Sequence, residues 1–322
     1  MKDRFGRNIQ YMRISVTDRC NLRCRYCMPE DIGKIPMNRL LTYEEIAEVA
    51  AAAAELGITD LRVTGGDPLV RRETETLIGM LKSIPGIRKV SMTTNGVLLE
   101  NKLSSLLAAG LSGVNISLDT LKEETFRKIT GFDALSDVKR GIRAAVRSGI
   151  PVRINSVLLK GVNEGEWRDL AALARDYPMD VRFIEMMPIG YGRLYHPVSN
   201  RDLLERLRLE YPDMEPDDVL HGSGPAKYWR VPGWKGSIGL ISPINGKFCS
   251  ECNRIRLTST GKLKPCLCYG SSIDLMPVLR DGHSGGTLKE IIRLAILRKP
   301  KEHCFETRSE VTEKNSMNRI GG

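Results

Sequence analysis

Hydrophobic and polar residues follow two different periods over the first two thirds of the chain. Short apolar runs typical of buried strands alternate with longer stretches whose apolar residues recur at helical spacing. Since each strand is followed by a helix, we expect parallel strands joined by right-handed crossovers. The predicted strands are Tyr11–Val16, Asp60–Thr64, Val90–Thr94, Gly113–Leu118, Val152–Leu158 and Asp180–Met186. The predicted helices are Tyr43–Leu56, Thr74–Ser83, Leu103–Ala109, Leu135–Ser148 and Glu166–Tyr177.

The first predicted helix has clear signals at both ends. Thr42 followed by Glu45 is a capping box, and Gly57 supplies a stop at the C-terminal end. Six such strand–helix units fit either an open doubly wound sheet or a curved partial barrel. Both architectures place ligands at the carboxyl ends of the strands, and periodicity alone does not separate them.

The pattern changes in the last third of the chain. Gly, Pro and irregular segments dominate as far as Cys268, and helical patterns follow over Ile273–Leu279 and Leu288–Lys299. We therefore predict a boundary near residue 200, with one domain over residues 1–200 and a second over 201–322. The tail from Pro300 is polar and is expected to be loosely held until its end.

Composition narrows the class of protein. With 322 residues, 41% hydrophobic and 27% charged, the chain is an ordinary globular mixture, which excludes wholesale disorder. No apolar run is long enough to span a membrane and no leader is apparent, so we expect a cytoplasmic protein. Lys and Arg outnumber Asp and Glu by 49 to 39, a net charge of +10. Because the cations are scattered and aromatic residues are only 6%, a small anionic ligand is favoured over nucleic acid.

Three cysteines follow the first predicted strand at the spacing C-x3-C-x2-C: Cys20, Cys24 and Cys27. A short irregular loop can wrap three thiolates around an iron–sulfur cluster and leave one iron open. Zinc is the alternative, but it prefers four ligands, and no fourth Cys or His lies close in the sequence. Three arginines of the same loop are expected to favour the thiolate form. They are Arg19, Arg23 and Arg25.

A second group has the spacing C-x2-C-x13-C and consists of Cys249, Cys252 and Cys266, with Cys268 two residues further on. Taken alone, these four thiols fit a structural zinc site about as well as an iron–sulfur cluster. On a strand, Cys266 and Cys268 would share a face, which makes Cys268 a candidate fourth ligand. Cys304 lies in the tail and is expected to be a bystander.

The loop Cys20–Cys27, with Tyr26 before its last cysteine, resembles that of the radical S-adenosylmethionine (SAM) superfamily. Five further stretches are similar to the family within it that cyclises GTP at the start of molybdenum-cofactor biosynthesis. They are Arg13–Cys20, Arg62–Leu69, Thr93–Gly96, Asn115–Asp119 and Arg182–Glu185. The resemblance runs from about Arg4 to Cys266 and resumes at the last two residues.

This resemblance implies an α/β fold, an incomplete (βα)6 barrel of the TIM type, with a C-terminal extension that carries a second cluster. It implies two [4Fe–4S] clusters with one open iron each, the first binding SAM and the second touching guanine. One electron would cleave SAM to methionine and a 5′-deoxyadenosyl radical, which takes hydrogen from C3′ of GTP. The ribose radical would then attack C8 of guanine. The expected product is (8S)-3′,8-cyclo-7,8-dihydroguanosine 5′-triphosphate.

The resemblance also assigns roles to individual residues. The SAM contacts are Tyr26, Gly66, Asp67, Ser117 and Met187, and Asp67 stands where the family has the longer Glu. Because no Walker loop is present, the triphosphate is expected to be held by side-chain cations. The substrate residues are Arg13, Arg62, Thr93, Arg153, Arg182, Arg254 and Arg256, and Arg153 stands where the family has Lys. The final Gly321 and Gly322 are implied to reach back into the active site and to act after substrate binding.

Two alternatives stay open at this point. One is a radical SAM enzyme with an auxiliary cluster that modifies a peptide, and the other is a zinc-containing nucleic-acid-binding module. The favoured interpretation has GTP as substrate, an electron donor and a downstream cyclic pyranopterin monophosphate synthase as partners, and neither nucleic acid nor a membrane. The identity of the electron donor, a homodimer, the role of Cys268 and the effect of Asp67 on SAM affinity are left open.

Overall fold

Twelve strands form one sheet in the computed structural model, which describes residues 1–28, 33–219, 221–281 and 285–321. The strands are β1 (Tyr11–Ser15), β2 (Asp60–Thr64), β3 (Lys89–Thr94), β4 (Val114–Ser117), β5 (Val152–Val157), β6 (Asp180–Ile184), β7 (Glu215–Pro216), β8 (Lys227–Arg230), β9 (Ile238–Ile241), β10 (Arg254–Leu257), β11 (Lys262–Lys264) and β12 (Ile273–Asp274). Their order in the sheet is β12-β11-β10-β1-β2-β3-β4-β5-β6-β9-β8-β7. The strands from β10 to β9 in this order pair in parallel, and the antiparallel strands lie at both edges.

Helices separate the parallel strands, as the apolar spacing predicts. They are α1 (Tyr43–Glu55), α2 (Thr74–Ser83), α3 (Leu99–Ala108), α4 (Glu123–Thr130), α5 (Leu135–Arg147), α6 (Trp167–Asp176), α7 (Asn200–Glu210), α8 (Met276–Arg280) and α9 (Gly285–Leu297). The capping box of α1 is present, since the Thr42 side chain accepts from Glu45 N and the Glu45 side chain accepts from Thr42 N. None of the helices in the described ranges has the length and apolar character needed to cross a membrane.

The sheet is the predicted incomplete barrel, because its first and last strands do not pair with each other. Side chains alternate across each central strand, since successive residues point to opposite faces. In β1, Met12 and Ile14 are fully buried in the apolar core, whereas Arg13 between them lines a cavity inside the barrel. β2 repeats the pattern with Leu61 and Val63 in the core. The outer face of the barrel is therefore apolar and its inner face is polar.

The C-terminal third extends both edges of this sheet. β10 pairs in parallel with β1, and β9 pairs in parallel with β6. The predicted domain boundary near residue 200 coincides with the start of α7, a helix that the sequence analysis did not predict. The predicted helix over Ile273–Leu279 is wrong in its first part, which is strand β12, and the helix α8 begins only at Met276.

The tail contradicts the expectation of a loosely held segment. Phe305, Val311, Glu313 and Ile320 are all buried. The Arg193 guanidinium donates to the carbonyl oxygens of Val311 and Glu313, both at 3.0 Å. The tail is thus held by its few apolar residues and by hydrogen bonds to its backbone, while many of its polar side chains face the solvent.

Candidate active site

The inner face of the barrel carries a cluster of arginines. In the strand register, Arg13 lies between Arg62 of β2 and Arg256 of β10, so that these three residues share one level of the barrel. Arg182 and Arg254 line the same cavity, and no Asp or Glu is found among its described lining residues. The Nε atoms of Arg13, Arg62 and Arg254 are buried without a hydrogen-bond partner in the described part of the chain. Such a cavity is built to receive an anion.

Burial and repulsion between neighbouring guanidinium groups lower the pKa values of several of these arginines. Burial lowers the pKa of Arg182 to about 10, and burial together with Arg254 lowers the pKa of Arg256 to about 10. The pKa of Arg13 falls well below its ordinary value, first through burial and then through repulsion by Arg256. A bound polyanion would relieve both effects, because it supplies the missing opposite charge.

The second cysteine trio, Cys249, Cys252 and Cys266, lines this same cavity. Burial alone would raise the pKa of Cys252, but the positive charges of Arg254 and Lys299 outweigh burial and lower this pKa to about 7. Lys299 Nζ is fixed by the carbonyl oxygens of Arg254 and Pro265, at 2.9 and 2.7 Å. Lys299 was missed by the sequence analysis, which placed it at the end of a helix.

The first cysteine trio, Cys20, Cys24 and Cys27, lies in the irregular loop after β1. Asn95 Nδ2 and the Leu22 backbone N–H both approach Cys20 Sγ at 3.4 Å, the kind of donor that tunes a cluster. Burial raises the pKa of Cys20 to about 11 and the pKa of Cys27 to about 12. Metal binding to these thiols therefore releases protons.

The expectation that the loop arginines favour the thiolate form holds in direction for Arg23, whose charge lowers the pKa of Cys20, but burial outweighs this effect. Arg23 also donates to the carbonyl oxygens of Cys20 and Leu22, at 2.7 and 2.9 Å. Burial is the dominant influence on all three thiols. The guanidinium thus fixes the backbone of the loop.

The two trios lie at opposite ends of the barrel. Cys20, Cys24 and Cys27 follow the carboxyl end of β1, whereas Cys252 precedes the amino end of its parallel neighbour β10. β11 runs antiparallel to β10, so Cys266, which follows β11, lies at the same end of the barrel as Cys252. We call this the lower end. The arginine-lined cavity reaches the second trio at this end.

Each trio supplies three free thiols. Three thiolates are the ligand number of a [4Fe–4S] cluster that keeps one iron open, whereas a structural zinc site takes four ligands. The donor chemistry of both sets of residues therefore fits [4Fe–4S] clusters with three cysteine ligands.

The turn Gly65–Asp67 packs directly against the loop of the first trio. A Cβ at Gly66 would lie 2.3 Å from the Arg19 carbonyl oxygen, so only glycine fits there. The buried Asp67 carboxylate accepts from Thr94 Oγ1, Asn95 N and Leu69 N, at 2.7, 2.6 and 2.9 Å. Burial raises the pKa of Asp67 to about 6. Asp67 therefore holds the strand ends together, with one acceptor position left for a ligand.

The other predicted SAM and substrate residues lie on neighbouring strand ends. The Tyr26 hydroxyl donates to Asp119 Oδ2 at 2.5 Å. Ser117 is exposed at the carboxyl end of β4, and Met187 lines the cavity. Thr93 Oγ1 on β3 is buried, and no partner for it occurs among the described residues.

Arg153 differs from the other predicted substrate residues. Its guanidinium donates to the His221 carbonyl oxygen and lies 3.5 Å from Asp180, and it is absent from the described cavity wall. The floor loop, which we define as residues 221–225, lies in front of it, and a Cβ at Gly222 would be 3.4 Å from Arg153 Nη2. The predicted phosphate contact of Arg153 is therefore not supported by this geometry.

The floor loop closes the lower end of the barrel. The His221 ring lies between the carboxylates of Asp180 and Asp217, at 3.0 and 2.9 Å. Ser223 Oγ donates to Asp60 Oδ2 at 2.6 Å, and Gly224 and Pro225 line the cavity. The sequence does not predict this loop, because its local signals are two glycines and a proline in an irregular segment.

The C-terminus enters the barrel as the resemblance implies. Arg256 Nη1 donates to the Gly321 carbonyl oxygen at 2.7 Å. Gly321 has φ +78°, and a Cβ on it would lie 3.2 Å from Thr64 Oγ1, so that a larger residue would be strained and crowded. Gly322 lies outside the described residues. The tail thus reaches one of the arginines predicted to bind substrate.

Comparison with known proteins agrees with this geometry. The family model described as the radical SAM superfamily matches residues 14–174, and the model described as molybdenum cofactor synthesis C matches residues 179–305. Streptococcus suis SuiB bound to S-adenosylmethionine aligns over 97% of this chain and 78% of its own, with a TM-score of 0.62 at 14% identity. Native anSMEcpe with bound AdoMet aligns over 92% and 82%, with a TM-score of 0.57 at 15% identity. These structures show the fold, and fold and first trio together define a radical SAM enzyme.

Full-length relatives narrow the assignment. The GTP 3′,8-cyclase of Clostridium perfringens (strain 13 / Type A) is 43% identical over 323 residues, which covers 100% of both chains. The GTP 3′,8-cyclase of Moorella thermoacetica is 45% identical over 330 residues, again with 100% of both chains covered. The chain belongs to the GTP 3′,8-cyclase family. This confirms the predicted resemblance and displaces both alternatives, the peptide-modifying enzyme and the zinc-containing module.

Proposed function

We propose that this enzyme converts GTP to (8S)-3′,8-cyclo-7,8-dihydroguanosine 5′-triphosphate, the first step of molybdenum-cofactor biosynthesis. The observation that carries the proposal is a cavity that reaches the second trio and is lined by Arg13, Arg62, Arg182, Arg254 and Arg256, with no Asp or Glu among the lining residues that the structure describes. Its charge fits a triphosphate. Its position fits a nucleotide held between two clusters at opposite ends of the barrel.

Cys20, Cys24 and Cys27 would hold the first [4Fe–4S] cluster, and Cys249, Cys252 and Cys266 the second. When bound, the first cluster and SAM supply the radical chemistry that removes hydrogen from C3′ of the ribose. Asp67 offers its remaining acceptor position to the ammonium group of SAM, and Tyr26, Gly66, Ser117 and Met187 flank the same end of the barrel. The protein's task is to hold C3′ towards this end and to exclude water.

The arginines hold the phosphates. A hydrogen bond to a charged group contributes about 1.5–3 kcal/mol, so three or four of them account for micromolar affinity, roughly 8 kcal/mol. Arg13, Arg62 and Arg256 share one level of the barrel and provide most of this contact. Thr93, with its buried hydroxyl, is available to the ribose or base.

Gly321 acts through Arg256. Because its carbonyl oxygen accepts from the same guanidinium that we assign to substrate, GTP binding and tail position are coupled. The tail is also tied to the first trio's loop, since Asn318 Nδ2 donates to the Asp18 carbonyl oxygen at 2.9 Å. We infer that Gly321 and Gly322 adjust the substrate after it binds.

The remaining partners follow from the chemistry. Each turnover needs an electron donor, and a cyclic pyranopterin monophosphate synthase would consume the product. All eight cysteines are free thiols, which fits a reducing compartment, the cytoplasm. A homodimer is compatible with the proposal and is not required by the site.

Anaerobic incubation of the reconstituted enzyme with SAM, dithionite and GTP tests the proposal. Mass analysis should detect a product isomeric with GTP and one 5′-deoxyadenosine for each nucleotide converted. GTP recovered unchanged beside abundant 5′-deoxyadenosine would reject GTP as the substrate. A GDP arm checks the role of the triphosphate, since the arginine cluster predicts weaker binding for each phosphate removed.

A further inference from the structure

Two thiols that belong to neither trio lie side by side. Cys268 Sγ is 3.2 Å from Cys304 Sγ, and Cys304 N approaches Cys268 Sγ at 3.4 Å. Both residues are buried. Cys304, expected to be a bystander, is thus the direct neighbour of Cys268 although 36 positions separate them in the chain.

The geometry argues against Cys268 as a fourth cluster ligand. β11 ends at Lys264, so the segment that contains Cys266 and Cys268 is not a strand and the two side chains need not share a face. Cys266 lines the arginine cavity, whereas Cys268 is absent from its described wall. Cys268 is fully buried in an apolar cluster with Ile189, Phe305 and Val311, against which Cys266 also packs.

This thiol pair joins the second trio to the tail. His303 N, one residue before Cys304, approaches Cys249 Sγ at 3.4 Å. Glu313 N donates to the Cys268 carbonyl oxygen at 3.2 Å, and Lys264 Nζ lies 2.5 Å from the Glu313 carboxylate. A covalent link between Cys268 and Cys304 would therefore fasten the base of the tail to the strand connection that carries Cys266.

We propose that Cys268 and Cys304 are a redox-active dithiol that closes reversibly into a disulfide and binds no iron. Closure needs the two sulfur atoms to approach from 3.2 Å to about 2.05 Å, a small movement. The oxidant is a low-molecular-weight disulfide of the glutathione class. The Cys304 thiolate attacks it and releases one thiol, and Cys268 then displaces the second. The protein loses two electrons and two protons, and the disulfide is reduced to two thiols.

The experiment uses anaerobic enzyme with both clusters in place and oxidised glutathione, which spares the clusters that oxygen would destroy. After alkylation of free thiols and digestion without reductant, mass spectrometry should find a Cys268–Cys304 cross-linked peptide, and dithiothreitol should reverse it. Iron content should stay constant throughout. Absence of the cross-link in enzyme that retains its iron would overturn the proposal.

Cys304→Ser and Cys268→Ser are matched variants that separate the dithiol from a fourth-ligand role. Both variants should lose the cross-link and keep the iron content of the wild type. If Cys268→Ser alone loses iron or changes the electron paramagnetic resonance of the second cluster, Cys268 is a ligand and the proposal is wrong. Because the wild-type cross-link is measured independently, an unstable variant leaves the proposal falsifiable. The test does not require GTP turnover, so its outcome is distinct from that of the proposed function.

Discussion

The two cysteine trios differ in how close cationic side chains lie to their thiols. In the first trio, burial raises the pKa values of all three thiols. The second trio borders a cationic cavity. Burial also raises the pKa of Cys249 there, but the charges and hydrogen bonds of Arg254 and Lys299 together outweigh burial at Cys252 and lower its pKa to about 7. The difference shows that similar ligand sets can be fitted to different tasks. The first trio would enclose its cluster, and the second trio would place its cluster beside a bound anion.

The largest expected effect comes from breaking the first site. Cys24→Ala should abolish SAM cleavage, because a cluster with two protein ligands does not persist. Chromatography should find no 5′-deoxyadenosine with dithionite, while about half of the iron remains at the second trio. Retention of SAM cleavage would contradict the assignment. Cys304→Ala is a matched control and should cleave SAM normally.

Removing Gly321 and Gly322 should stop cyclisation while leaving both trios loaded with iron. Because the tail carbonyl occupies Arg256, its loss should leave GTP affinity unchanged or slightly tighter. Mass analysis of the nucleotide and titration calorimetry measure the two effects separately. Normal turnover by the shortened chain would refute a role for the tail.

Arg256→Ala tests whether the cationic cavity beside the second trio binds GTP. The loss of one charge-assisted contact, about 1.5–3 kcal/mol, corresponds to GTP binding weaker by roughly 10- to 150-fold. Iron content and SAM cleavage without substrate should stay near wild type, because Arg256 lies on β10 and the cysteine charges that act on it are those of Cys266 and Cys252. Arg256→Lys keeps the positive charge but loses the planar guanidinium, so its GTP affinity should lie between those of the wild type and Arg256→Ala. Equal GTP affinity in the wild type and in both variants would show that Arg256 does not bind GTP.

The smallest effect is expected for a substitution at Gly66, in the turn that packs against the loop of the first trio. Gly66→Ala places a Cβ 2.3 Å from the Arg19 carbonyl oxygen, so the loop must shift. We expect SAM affinity to fall about tenfold and GTP affinity to stay constant, measured by equilibrium binding. Gly79→Ala in α2 is the matched control, since nothing lies within 4 Å of its added Cβ. If both variants bind SAM alike, the close approach at Gly66 is unimportant.

Local pattern was enough to predict the parallel strand–helix units, whereas their arrangement in a partial barrel was predicted from the family resemblance. β2 and α2 have the predicted bounds, because their periodicity and end signals lie within the segments themselves. α4 was missed although Phe126 and Ile129 have helical spacing, since a helix of eight residues gives a weak signal. Family resemblance, rather than spacing, supplied the arginines and the glycine tail.

Contacts between distant segments were not predictable in this way. The placement of Arg153 behind the floor loop depends on His221, which is 68 positions away. The pairing of Cys268 with Cys304 and the burial of the tail likewise depend on how the C-terminal third folds over the barrel. No periodicity within either segment contains that information.

The crowding of guanidinium groups inside the barrel has a consequence for the life of the protein. Like charges held close together repel one another, so a polyphosphate that binds to them inside the barrel also stabilises the folded chain. Heat resistance and protease resistance should therefore rise with the supply of nucleotide, even without iron or SAM. In a cell with little GTP, the enzyme would therefore lose stability as well as substrate and would be degraded faster.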